Sequence, residues 1–112
     1  MKDIDLTTIV GTNFYVASED GDKVFTVVRD SINRGDKINI SFGKAKVVTS
    51  AFLNSAFGRL YGVYKEPEIE NHLSFTNLTN NYSELLNATK ELAKKYYTKP
   101  EAFKNVNSSD VD

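Results

Sequence analysis

The order of hydrophobic patterns predicts an α/β domain with a mixed central β-sheet and about three helices packed on it. Three observations carry that prediction. Ile38, Ile40 and Phe42 alternate with Lys37, Asn39 and Ser41, the period-two signature of a half-buried strand. From Ser50 onward the apolar set Phe52, Leu53, Ala56, Phe57, Leu60 and Tyr61 takes up helical spacing. A second strand-to-helix switch follows over residues 73 to 97, and repeated strand-helix-strand units favour crossovers beside a shared sheet.

Taken in order, residues 3 to 10 begin with polar/apolar alternation, and Phe14-Tyr15-Val16-Ala17 is a second β-prone run behind the turn-like Gly11-Thr12-Asn13. A β-hairpin or two short successive strands is expected there. Asp20-Gly21-Asp22 opens a helix in which Val24, Phe25, Val27, Val28 and Ile32 share a face. The acids near its start and Gly35 just past its end suit the macrodipole and C-cap preferences. The strand at residues 37 to 42 passes through Gly43-Lys44-Ala45-Lys46 to Val47-Val48, and a helix then runs from about 50 to 62, ending near Gly62. Glu66-Pro67-Glu68 marks a loop, and residues 73 to 78 alternate as another strand. Thr79 or Asn80 can cap a last helix bearing Tyr82, Leu85, Leu86, Thr89, Leu92, Ala93 and Tyr96, with Lys90, Lys94 and Lys95 toward its cation-favouring end. Pro100 interrupts that pattern, so a domain over residues 1–99 is expected to give way to a polar tail over 100–112.

Composition narrows the function classes. A chain of 112 residues, 40% hydrophobic, fits one domain. The formal charge of −1 provides no field to hold a polyanion, which argues against nucleic-acid binding. With no cysteine, disulfides, thiolate nucleophiles and Cys-based zinc sites are excluded by inventory, and His72 is the single imidazole. The N-terminal residues lack an apolar signal core, and no run approaches the roughly 18 apolar residues of a membrane span. A cytoplasmic protein without membrane attachment is therefore expected. Neither G-x-G-x-x-G nor G-x-x-x-x-G-K-[ST] occurs, and the acids Asp20/Asp22 and Glu66/Glu68/Glu70 stand in turn-like contexts, so neither catalysis nor a cofactor is expected.

Thr49 and Ser50 are the sharpest candidates. A strand-to-helix turn offers unpaired backbone N–H groups and a positive helix end, a suitable place for a phosphate, although either hydroxyl also serves as an ordinary N-cap. Gly58 inside the apolar helix costs about 1 kcal/mol against alanine and implies close packing on a neighbour. Arg59 can receive a phosphate or carboxylate through its planar fork. Together Thr49, Ser50, Asn54 and Arg59 make the candidate partner-binding surface, with Ser50 and Thr49 as candidate phosphorylation sites. Tyr61, Tyr64, Tyr96 and Tyr97 read as core-edge residues with wet hydroxyls.

From Lys37 to Tyr61, the sequence of strand, hydroxyl residues, Phe-Leu, Gly and Leu resembles the core of STAS domains (sulfate transporter and anti-sigma-factor antagonist), especially the small bacterial STAS-like proteins. The resemblance spans roughly residues 4 to 97 and implies a STAS-like domain. Aligning Val-Val-Thr-Ser-Ala-Phe-Leu with the antagonists' Asp-Ser-Ser/Thr-Gly-Leu pattern puts Ser50 on the phosphoacceptor and Thr49 on the aspartate, while Ala51-Phe52 replace the small hydroxyl residue and glycine. The family implies a non-catalytic regulatory interaction module whose protein partner is an ATP-binding, histidine-kinase-like protein. Two alternatives stay open at this point. One is a nucleotide- or anion-sensing domain using the crevice at the carboxyl ends of the strands, and the other is a mobile-element protein that inhibits a host target.

Overall fold

The computed structural model describes residues 1–98, so the tail expected over 100–112 lies outside the described residues. Strands β1 (Lys2–Asp5), β3 (Ile38–Ser41) and β5 (Leu73–Thr76) form a three-stranded sheet in the order β1-β3-β5, and β2 (Phe14–Tyr15) pairs with β4 (Val47–Val48) in a separate ladder. Around them lie α1 (Leu6–Val10), α2 (Ser18–Asn33), α3 (Ser50–Ala56), α4 (Glu66–His72) and α5 (Asn80–Thr98), with a 3-10 turn over Gly58–Gly62 directly after α3. The α/β class with helices on a central sheet holds, and the three long helical patterns each form a helix. The strand sense, expected to be mixed, is parallel in every described pair. The physical reason is the crossover: successive strands of the sheet are joined through helices, which return the chain to the same edge pointing the same way.

Of the two readings of the first seventeen residues, the hairpin does not form and two short successive strands do, β1 and β2, with the unexpected α1 between them. Asp5, which looks like the polar member of an alternating strand, caps α1: its carboxylate accepts from the Thr7 backbone N–H at 2.8 Å. Leu6 and Val10 then bury one face of the short helix, and Gly11 at φ 90° closes it with an N–H bond to the Thr7 carbonyl. The loop expected at Glu66-Pro67-Glu68 is instead the first turn of α4, with the proline at a position whose N–H needs no partner and both acids at the positive end. Helix α3 stops at Ala56 and tightens into the 3-10 turn, which ends at Gly62 as the pattern predicted. Strand β5 ends at Thr76, two residues early, because Asn77 turns the chain at φ 60°.

The two faces of the central sheet differ. Ile38, Ile40 and Leu73 are buried against the helices, and the core continues through Phe42, Phe52, Leu53, Phe57 and Leu60 to Val24, Val28 and Ile32 of α2. Aromatic rings knit this core, with Tyr15 stacked on Phe52 at 5.4 Å and Phe57 edge-on to Phe75 at 5.0 Å. On the opposite face the buried Asn39 amide donates to Thr76 Oγ1 and accepts from Ser74 Oγ, both at 2.9 Å. Its polar groups are thereby satisfied across neighbouring strands.

Helix α2 is pressed against α3 at Gly21, where a Cβ would stand 2.7 Å from both the Phe52 carbonyl oxygen and Ser55 Cβ. Beside that contact, the Ser55 hydroxyl lies 2.8 Å from the Ser18 carbonyl and 2.5 Å from the Asp22 carboxylate. This packing holds α3 against α2. No helix among the described residues is long and apolar enough to cross a membrane.

Candidate functional site

The start of α3 is built by the β2–β4 ladder. Phe14 pairs with Val47 and Tyr15 with Val48, and the Thr49 N–H then donates to the Tyr15 carbonyl at 3.1 Å. Thr49 is the N-cap, with extended backbone (φ −114°, ψ 159°) and Oγ1 accepting from the Phe52 N–H at 3.2 Å. The same hydroxyl donates to the Val16 carbonyl at 2.7 Å, so both its donor and its acceptor capacity serve the fold. Ser50, by contrast, is the first residue of α3 and is exposed, and its hydroxyl has no hydrogen-bond partner among the described residues.

A groove runs from this helix start between α3 and α5. Its first depression, about 310 Å³, is lined by Ser50, Ala51, Asn54, Leu85, Ala88, Thr89 and Leu92. A second, about 410 Å³, shares Asn54 and Leu92 and continues past Arg59 to Tyr96 and Tyr97. Ser50, Asn54 and Arg59 are thus brought onto one groove, and Thr49 stays beneath it as the cap. Glycines let the walls come together. A Cβ on Gly58 would meet Asn54 Oδ1 at 2.6 Å and Thr89 Cγ2 at 3.6 Å, and one on Gly62 would enter the Tyr97 ring at 2.5 Å.

Arg59 lies on the groove with most of its fork engaged. Its Nε donates to the Ser55 carbonyl at 3.0 Å, one terminal nitrogen pairs with Asp22 at 2.8 Å, and the guanidinium sits 4.1 Å over the Phe25 ring. These contacts staple the 3-10 turn to α2 rather than leave the side chain waiting for an anion.

Two apolar surfaces flank Ser50, one on α5 and one on the β2–β4 ladder. The residues that the sequence pattern put on this last helix divide into two stripes: Leu86, Thr89 and Ala93 are buried, whereas Leu92 is 62% and Tyr96 47% exposed on the groove. An apolar arc wider than one neighbour can cover was the available signal. On the other side, the register partners Phe14 and Val47 stand out at 53% and 40% exposure, next to the exposed Val16 whose carbonyl Thr49 holds.

The remaining candidates have local duties. His72 Nδ1 lies 2.8 Å from the Glu68 carbonyl at the end of α4, and no group of three or more metal-ligating side chains occurs among the described residues. Tyr64 ties its hydroxyl to Asn33 and to the Arg29 carbonyl. Burial pushes the Tyr61 phenol up to about 12, reinforced by Glu66 and Glu70. Lys94 is raised by its bonds to Glu91 and Glu66. At the carboxyl ends of β3 and β5, Ser41 Oγ accepts from Asn77 Nδ2 at 2.8 Å and from the Gly43 N–H at 3.1 Å.

No curated protein and no solved structure matches the chain. A family model described as a STAS-like domain of unknown function matches residues 20–83, from the first turn of α2 into the first turn of α5, including the whole of α3. That match covers more than half of the sequence and every element that builds the Ser50 helix start except β2, and by it the chain belongs to the STAS-like domain family.

Proposed function

We propose that this chain is a non-catalytic regulatory module of the cytoplasm that docks a protein partner over the start of α3, and that phosphorylation of Ser50 controls the docking. The observation that carries the reading is the contrast between neighbouring hydroxyls. Thr49 is engaged on both sides, while Ser50 stands exposed, its hydroxyl without a partner among the described residues, between two exposed apolar surfaces. A phosphate there adds a charge of about −1.5 to −2 at the positive end of a helix, so the fold tolerates it, while an apolar partner surface must desolvate it to dock. The STAS resemblance supplies the partner class, an ATP-binding, histidine-kinase-like protein. Such a partner transfers the γ-phosphoryl group of ATP to Ser50 Oγ, releasing ADP, with the hydroxyl proton passing to a base on the partner.

Affinity capture from the source cell with wild type, Ser50→Ala and Ser50→Asp, followed by mass spectrometry, tests this. Ser50→Asp is expected to recover markedly less of a partner that wild type and Ser50→Ala retain, and a fraction of native protein is expected to carry phosphate on Ser50. Equal recovery by all three, with no phosphate on Ser50, would reduce Ser50 to an ordinary first helical residue.

A further inference from the structure

The central sheet ends in two edge strands of four residues each, and the sequence treats them differently. β1 reads Lys-Asp-Ile-Asp, and charges of this kind keep an edge from pairing with another chain. Its Asp5 carbonyl also accepts from the Thr8 hydroxyl at 2.7 Å. β5 reads Leu-Ser-Phe-Thr, with neither charge nor proline, and among the described residues no strand pairs with its outer side. We propose that two copies of this chain join β5 to β5, antiparallel, about a twofold axis at Phe75, with Lys90 of each copy facing Glu70 of the other. The sheet then runs β1-β3-β5-β5-β3-β1 through both molecules. The inference does not depend on the Ser50 reading.

Backbone direction supports that occupant. The Phe42 N–H donates to the Thr76 carbonyl at 3.1 Å, so Thr76 and, two residues back, Ser74 address β3. Phe75, between them, turns both its N–H and its carbonyl to the open side. A trans peptide points its N–H opposite to its carbonyl, so the Asn77 N–H and the Leu73 carbonyl face outward as well. These groups are self-complementary. About an axis at Phe75, the facing Phe75 residues exchange both bonds, and the Asn77 N–H of each copy reaches the Leu73 carbonyl of the other. The Leu73 N–H is not needed there, because Asn77 turns its own carbonyl away at φ 60°, and the Ile69 carbonyl of α4 already holds it. The side chains beside the edge also match a second copy. A pocket there is lined by Phe57, Ile69, Leu73 and Phe75 together with Glu70 and Lys90, whose ammonium stands 5.2 Å from the Phe75 ring. Neither Glu70 nor Lys90 is in an ion pair among the described residues. A surface with one such cation and one such anion complements itself under a twofold rotation, since each contact across the axis is made twice.

Isotope-filtered NMR on a mixture of carbon-13-enriched and unenriched full-length chains, with sedimentation of the same protein, tests this. The register sets Ser74 of one copy opposite Thr76 of the other as a non-hydrogen-bonded pair, about 4.5 Å between Cα atoms, so an intermolecular Hα–Hα contact between them is expected. The sedimentation mass is expected to rise from 12.6 kDa toward twice that value with concentration, and amide exchange at Phe75 and Asn77 to slow with it. Lys90→Glu, which places two acids beside each edge, is expected to return the mass to that of one chain and to remove the contact. The mass of one chain at every concentration overturns the proposal, as does a dimer without the Ser74–Thr76 contact or an association that Lys90→Glu leaves unchanged. Phe75 and Asn77 amides that stay protected after dilution to single chains also overturn it, since the edge is then paired within the molecule. No other protein is present in these samples, so the outcome is separate from that of the capture experiment.

Discussion

The Thr49 hydroxyl both accepts from the Phe52 N–H and donates to the Val16 carbonyl, so Thr49→Ala removes the cap of α3 and the tie to the chain beyond β2 together. The expected loss is about 1 to 2 kcal/mol, at the upper end for a cap. Ser50→Ala removes a hydroxyl without a partner among the described residues and should fall within about 0.5 kcal/mol of wild type. Urea denaturation of the two variants side by side checks the assignment, and equal losses would mean that the cap is shared. The sequence showed that one of two adjacent hydroxyls caps this helix and could not choose between them. What decides is Val16, 33 residues away, and no local pattern encodes a partner so distant. The same holds for Arg59, whose fork reads as available until Asp22, 37 residues earlier, is seen to hold it.

Among the elements, those with long periodic signals were legible: β3, β5, α2, the run from α3 through the 3-10 turn, and α5 all lie where hydrophobic spacing put them. The missed elements are short helices whose start signals have two meanings. Asp5 suits an exposed strand position as well as a cap, and Pro67 suits a loop as well as a first helical turn. The β2–β4 ladder, two residues on each side, is too short for its pairing to be read at all. The end of the α3 run offers the clearest packing test. Phe57 is buried, edge-on to Phe75 and tilted against Phe42 at 6.3 Å, so it joins the 3-10 turn to two strands of the central sheet or their ends. Phe57→Ala is expected to cost about 3 to 5 kcal/mol in urea melts. A loss below about 1 kcal/mol would show that the surrounding rings collapse into the space.

For the molecule as a whole, the tyrosines and the lysine whose proton affinity the fold raises point to an alkaline limit. An unfolded tyrosine ionises near 10, whereas folded Tyr61 keeps its proton to about 12 because burial and two nearby glutamates oppose the phenolate. Between those values the unfolded chain has released a proton that the native state retains, so rising pH favours unfolding. Tyr15 and Tyr64 shift in the same direction through burial, and Lys94, raised by its glutamate partners, likewise loses its contribution as pH rises through its folded value. Urea midpoints should fall from about pH 10 toward pH 12. Tyr61→Phe, which cannot ionise, should fall less steeply, and parallel curves for the two proteins would rule Tyr61 out as a source. The parallel ladders have a further consequence, one of time. Lys2 meets Ile38, Ile38 meets Leu73 and Phe14 meets Val47, so each described strand pair closes a loop of about 35 residues. No pair can zip outward from a tight turn. Helices α2 and α5 can form from neighbouring residues before any strand finds its partner, whereas the sheet must await the slower search that non-local pairing imposes.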